Sequence, residues 1–308
     1  MNQPSLAVQI AGLTFKNPVL PASGTYGYGR EYLPFLEPDL FGAVVTKGVA
    51  LQPWPGNPPP RIYETPAGML NAIGLQNPGV AHFVADALPF LRRYQTPVLV
   101  NIVGKTIAEY AEVAAILSAY PEISGFELNI SCPNVKEGGI AFGTDPEMAA
   151  AVTGAVRKAT AKPLIVKLSP NVADIGGIAV RVADAGADAL SLTNTLLGMA
   201  IDIRKRRPVL GNIVGGLSGP AIRPVALRMV WQVYQKVGIP IIGMGGINSA
   251  AAALEFIMAG ATAVAVGTAL FQDPESPKRI IAGIRDYLVE EDISDITELI
   301  GVAHCKSQ

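Results

Sequence analysis

The sequence is poor in cysteine, histidine, aromatic residues and net charge, and each shortage removes a class of function. Two cysteines in 308 residues, Cys132 and Cys305, lie far apart with no CxxC or Cys/His spacing. That argues against a disulfide framework and a zinc site, and it suits a reducing, cytoplasmic compartment. They are also too few for an iron–sulfur cluster, which normally takes a larger set of thiolates. The two histidines, His82 and His304, suggest no Cys–His pair with Cys132, which weakens a thiol-hydrolase reading. A formal net charge of −1 leaves no electrostatic footprint for nucleic acid. The one basic run, 204–207, reads as a solvated loop, with a partner or phosphate contact as the alternative. No membrane span is expected: the most apolar stretch, 250–271, is interrupted by Glu255 and Thr262. The first residues lack a basic segment followed by an apolar core, so no signal peptide is expected either.

What is abundant is small and apolar. Half of the residues are hydrophobic, and 32 glycines and 25 prolines are spread along the chain, as many tight connections would require. Short β-branched runs alternate with longer Ala/Leu-rich stretches of helical pattern. The runs are Pro18–Ala22, Gly42–Lys47, Pro97–Val103, Gly125–Ile130, Pro163–Leu168, Ala187–Thr193, Pro240–Gly243 and Ala263–Gly267. Near-continuous apolar strands indicate burial on both faces. Eight of them in βα alternation predict a (β/α)₈ barrel, an α/β fold, as one domain over 1–308. Leu6–Phe15 alternates around Ala11-Gly12 and reads as an N-terminal β-hairpin under the barrel. Two long connections, 49–80 and 196–239, are insertions at the C-terminal mouth, of a size that usually carries function.

The polar residues cluster where the strands end. The series runs Ser23, Lys47, Asn101, Asn129 with Cys132, Lys167, Thr193 with Asn194, Gly245-Gly246, and Gly267-Thr268. Barrel active sites are assembled at that mouth. Burying so many polar groups for folding alone would cost roughly 1–3 kcal/mol each unless they were paired. The turns Gly243-Met244-Gly245-Gly246 and Val266-Gly267-Thr268 predict a phosphate cradle, with Gly215 to Pro220 as a third side. Lys47 and Lys167 can serve as a Schiff-base nucleophile, an anion clamp or a partner for developing negative charge. The asparagines at 71, 101, 129, 134 and 194 suit a flat, amide-rich ligand. A free cysteine is usually a small buried hydrophobe. Cys132 instead follows a strand, is fixed by Pro133, and precedes a glycine-containing loop, Asn134 to Gly143, able to close over a ligand. There a thiolate can act as a base or a nucleophile. No metal site is expected.

Several of these segments resemble the class 1 dihydroorotate dehydrogenases. They are Asn129-Ile130-Ser131-Cys132-Pro133-Asn134, Asn71-Ala72-Ile73-Gly74-Leu75-Gln76-Asn77-Pro78-Gly79, Thr46-Lys47-Gly48, Gly243-Met244-Gly245-Gly246-Ile247 and Val266-Gly267-Thr268-Ala269. The resemblance covers essentially the whole chain and implies an FMN-dependent barrel that oxidises dihydroorotate to orotate. It makes Cys132 the base that takes the C5 proton while hydride leaves C6; class 2 relatives carry serine there. It assigns FMN contacts to Ser23, Lys47, Gly48, Asn101, Asn129, Lys167, Thr193, Gly219, Gly245, Gly246, Gly267 and Thr268. Substrate contacts fall on Lys47, Asn71, Ala72, Ile73, Gly74, Leu75, Asn129, Asn194 and Thr195. The segment Ala22 to Gly29 and the ending Glu298-Leu299-Ile300-Gly301 are similar to class 1B rather than to the fumarate-linked class 1A. Class 1B implies a homodimer core within a heterotetramer, partnered by a subunit that carries FAD and a 2Fe-2S cluster and reduces NAD⁺. A lysine-dependent phosphosugar aldolase or isomerase shares the barrel and the cradle but gives Cys132 no role.

Overall fold

The computed structural model describes residues 3–130 and 142–304. The expected strands form one parallel sheet: β1 (Val19–Pro21), β2 (Val44–Val45), β3 (Val98–Ile102), β4 (Gly125–Asn129), β5 (Leu164–Lys167), β6 (Ala189–Leu192), β7 (Ile241–Met244) and β8 (Ala263–Val266). Each strand lies beside the next in sequence, and β8 returns to pair with β1. The remaining seam is bridged where the Gly42 N–H donates to the Val19 carbonyl across 3.0 Å. The result is a (β/α)₈ barrel.

Three of the strands begin one residue later than the apolar runs suggest, for a chemical reason. Pro97, Pro163 and Pro240 have no N–H to give the ladder, so β3, β5 and β7 start one residue after them. Their carbonyls still accept, from Val44, Phe126 and Leu190 at 2.8–2.9 Å. Within each strand the side chains alternate. Phe126 and Leu128 share one face of β4 and Glu127 and Asn129 the other; all four are buried.

Helices cover the outer face. Four of them, Ile107–Ser118, Pro146–Ala159, Ile175–Asp184 and Ala250–Met258, start on N-caps: Thr106, Asp145, Asp174 and Ser249 each accept a backbone N–H at 2.8–3.2 Å. Such caps stabilise a helix by about 1 kcal/mol. The N-terminal hairpin pairs Val8–Ile10 with Leu13–Phe15, buries Ile10 and Phe15, and feeds the lower end of β1. No helix among the described residues is long and apolar enough to cross a membrane.

The two long connections do not lie separately over the mouth, as loops would. Ile62–Thr65, Gly68–Asn71, Gly215–Ser218 and Leu196–Gly198 pair as one antiparallel sheet, with Asn71 opposite Gly216. Segments nearly 150 residues apart therefore fold against each other above the barrel. The basic run sits on a separate small hairpin, Ile201–Asp202 with Arg207–Pro208, and its side chains are exposed. Asp202 accepts the Arg204 and Lys205 N–H groups at 3.0 Å, which with the nearby Lys205 ammonium holds its carboxyl below the usual range.

Candidate active site

The inner wall of the mouth is built from β3 to β6. Adjacent positions on these strands point inward, so Asn101, Glu127, Lys167 and Ser191 meet inside the barrel. Glu127 is 1% exposed and Lys167 4%, and their charged groups stand 3.4 Å apart. The Lys167 ammonium also donates to the Ser23 hydroxyl at 2.9 Å. Asn101 Nδ2 donates to Glu127 Oε1 at 2.7 Å, and the Ser191 hydroxyl donates to Oε2 at 3.4 Å. Asn129 Nδ2 approaches Asn101 Oδ1 at 3.5 Å, and the Tyr110 hydroxyl holds the Asn129 carbonyl at 2.8 Å. Tyr110 in turn packs edge-on against Phe142. This wall is charged, buried and supported by hydrogen bonds between its own side chains.

Lys47 stands beyond the end of β2 and is half-buried. Burial pushes its ammonium below the ordinary lysine range and Arg61 adds to that, while Glu31 opposes it. Above it runs the 71–79 loop, in which Leu75 holds a left-handed φ of 55°. That conformation costs of order 1–3 kcal/mol and needs support. Asn77, itself buried, supplies it: Nδ2 donates to the Leu75 carbonyl at 2.8 Å, and Oδ1 accepts the Ala50 and Gly79 N–H groups at 3.0–3.1 Å.

The opposite rim has no charged side chain. Gly245 and Gly246 follow β7 with φ of 135° and 70°. A Cβ on Gly246 would come within 2.7 Å of the Gly219 carbonyl, so the close approach of these turns requires glycine. Among the described residues, the N–H groups of Gly246, Gly267 and Thr268 make no backbone hydrogen bond. The Thr268 hydroxyl donates to the Ser218 hydroxyl at 2.7 Å, which brings the third glycine segment to the rim. The helix that follows β8 is only the single turn Ala269–Gln272, so the amides and hydroxyls of this rim, more than a helix dipole, are what it can offer an anion.

The wall, the loop and the rim surround one cavity of about 390 Å³. Ser23, Lys47, Gly48, Asn101, Asn129, Lys167, Thr193, Gly219, Gly245, Gly246, Gly267 and Thr268 all line it, as do Asn71, Ile73, Gly74, Leu75, Asn194 and Thr195. Ala72 does not: its side chain is buried in a small apolar cluster with Leu70 and Leu210. Alternation along the chain turns it away from the cavity that Asn71 and Ile73 line. Cys132, most of the 134–143 loop and Cys305 lie outside the described residues. His82 and His304 are not at the cavity; His304 stacks on Trp231 at 3.6 Å. No group of three possible metal ligands occurs among the described residues. Sequence reasoning passed over Glu127, and it placed Ser218 at the cradle only within the segment Gly215 to Pro220. The signal for Glu127 was present as the one charge inside an apolar strand, Gly125–Asn129.

A model of the dihydroorotate dehydrogenase family matches residues 5–288. The chain belongs to that family. Relatives within it include the catalytic subunit of dihydroorotate dehydrogenase B (NAD(+)) from Geotalea daltonii, 61% identical over 98% of this chain and 99% of that one. The subunit of the same name from Geobacter sulfurreducens is 59% identical over the same shares. Among solved structures, dihydroorotate dehydrogenase from Eimeria tenella, in complex with ferulenol, superposes with a TM-score of 0.81 over 97% of this chain and 89% of that one. At 24% identity it supports the barrel fold alone.

Proposed function

We propose that the chain is the FMN-binding catalytic subunit of an NAD⁺-linked dihydroorotate dehydrogenase, acting as one 308-residue domain. It would oxidise (S)-dihydroorotate to orotate in pyrimidine (UMP) biosynthesis, in the cytoplasm. The observation that carries this reading is the division of one cavity into an uncharged amide-and-hydroxyl rim and a charged, amide-rich wall. Such a cavity fits a flat ring bearing a phosphate at one end. The N–H groups of Gly246, Gly267 and Thr268, which make no backbone hydrogen bond among the described residues, suit the phosphate, and Lys167, Asn101 and Asn129 suit the polar edge of the ring. Subunits 56–61% identical along nearly their whole length carry this activity in their names.

When bound, FMN supplies the acceptor for the hydride that leaves C6. The chain's own residues do the rest. Cys132, three positions beyond Asn129, takes the C5 proton. Lys47 offers its ammonium to the substrate carboxylate, while Asn71, Asn129, Asn194 and Thr195 orient the ring. Ile73 to Leu75 and the antiparallel sheet exclude water.

Two thiols are too few for a cluster on this chain, which puts the 2Fe-2S group on a partner subunit, and the class 1B reading puts FAD there with it. Ile62, Leu197, Met199, Ile201 and Ile203 are at least half exposed or close to it, Ile203 at 84%, on the mouth sheet and its adjacent hairpin. An apolar surface of that extent supports a contact between two copies, the core of a heterotetramer.

The purified chain should be yellow, retain FMN, and form orotate when its flavin is reduced anaerobically by dihydroorotate. Electrons should then reach NAD⁺ only when the partner subunit is present. Efficient turnover with fumarate by the chain alone would make it class 1A instead. Besides the barrel and the cradle, a lysine-dependent aldolase would share the lowered pKa of Lys47. A colourless protein that forms a borohydride-trappable imine with a phosphosugar would establish that reading and remove this one.

A further inference from the structure

A carboxylate buried in a barrel interior needs a reason, because an apolar residue would fill the same space without the cost of desolvation. Glu127 is 1% exposed, and three donors reach it: Lys167 Nζ at 3.4 Å, Asn101 Nδ2 at 2.7 Å and the Ser191 hydroxyl at 3.4 Å. It does not line the cavity, whereas Lys167 and Asn101 do. It therefore stands behind two groups that face the ligand and touches both.

We infer that Glu127 is a positioning residue that sets how much positive charge Lys167 presents to the bound flavin and which way the Asn101 and Asn129 amides point. The first effect is electrostatic. Two opposite charges 3.4 Å apart in a dry interior act on anything beyond them as a dipole, so a ligand at the mouth meets less than the full lysine charge. The Ser23 hydroxyl, 2.9 Å from Nζ, fixes the other side of the ammonium, so Lys167 is held between a carboxylate and a hydroxyl. The second effect is one of orientation. Because Glu127 can only accept, Asn101 must turn its Nδ2 inward, which leaves Oδ1 facing Asn129 Nδ2 at 3.5 Å. A neutral glutamine at 127 could donate as well as accept, and the sense of this chain would no longer be fixed.

The potential readout rests on the flavin reading above; the Glu127–Lys167 coupling does not. Glu127→Gln in the FMN-loaded protein, followed by spectroelectrochemical titration, should move the flavin midpoint potential upward, since an uncompensated ammonium favours the anionic reduced form. The expected size is at least a tenfold shift of the two-electron equilibrium, about 30 mV. In a Lys167→Met background the same substitution should leave the potential where Lys167→Met alone puts it. A potential unchanged by Glu127→Gln, or the same shift with Lys167 absent, would overturn the inference. Should Glu127→Gln fail to fold, Glu127→Asp, which draws the charge back by one methylene, should raise the potential by less, and no change would again overturn it. In FMN-free protein, Lys167→Met alone should lower the melting temperature more than Glu127→Gln/Lys167→Met together, because the single variant strands a buried carboxylate. Additive melting shifts would contradict the coupling. A wild-type chain that retains no FMN would instead defeat the proposed function while leaving the melting comparison readable.

Discussion

The two sides of the mouth solve the problem of polar atoms in a dry place differently. On β3 to β6 the wall uses charged and amide side chains, each supported by another side chain: Lys167 by Glu127 and Ser23, Asn129 by Asn101. On β7 and β8 the rim uses the backbone itself, with glycines that leave room and N–H groups that have no backbone partner among the described residues. The first arrangement can tune charge and move protons. The second can only bind, but it does so with no side chain to order and no charge to desolvate. On the proposed function chemistry and anchorage fall on different strands, and substitutions should separate them.

The largest effect is expected on the chemical side. Cys132→Ser should slow anaerobic flavin reduction by dihydroorotate about 10²–10⁴-fold at neutral pH, the range of general-base catalysis, with FMN retention unchanged. Stopped-flow absorbance checks the first part and equilibrium dialysis the second; equal loss of both would erase the division between wall and rim. Breaking the rim should do the reverse. Gly246→Val places a side chain against the Gly219 carbonyl at a φ of 70°. With strain of about 1–3 kcal/mol, FMN affinity should fall roughly ten- to hundredfold, while flavin that does bind is reduced at a near-normal rate.

Smaller effects sharpen the comparison further. Asn77→Ala strands the buried Ala50 and Gly79 N–H groups and releases Leu75. It should cost about 1–3 kcal/mol in stability and raise KM for dihydroorotate more than it lowers kcat, since it loosens the substrate loop and touches neither wall nor rim. The smallest effect is in pH. Burial lowers the Lys47 pKa beneath its ordinary 10.5, and the charged form is the one that binds a carboxylate. Affinity for dihydroorotate should therefore be flat at neutral pH and weaken as pH rises through that lowered value, earlier than an ordinary lysine would allow. Lys47→Arg, which stays charged, should remove the alkaline loss.

Much of the barrel was legible because buried parallel strands leave a simple mark: β-branched runs, proline or glycine at their starts, polar residues at their ends. Lys167 and Asn129 could be placed at the mouth from that mark alone. The antiparallel sheet over the mouth could not, because its strands, such as Ile62–Thr65 and Gly215–Ser218, are short, glycine-rich and far apart in sequence. Local pattern carries no information about which distant segment completes a pair. Ala72 was placed with the substrate loop by the motif it sits in, whereas its burial beside Leu70 and Leu210 depends on that same sheet. Glu127 was hidden for the opposite reason. It sits within a strand whose other residues read as core, and its meaning depends on Lys167, one strand away.

The central claim, that anchorage and chemistry occupy opposite sides of one cavity, is tested most directly by a crystal structure of the protein with FMN and orotate bound. The account predicts the FMN phosphate on the N–H groups of Gly246, Gly267 and Thr268. It places the polar edge of the flavin ring at Lys167, and orotate between Asn71, Asn129 and Asn194 with Cys132 against its C5. A phosphate bound by Lys47 or Lys167, or an orotate on the side of β7 and β8, would contradict it.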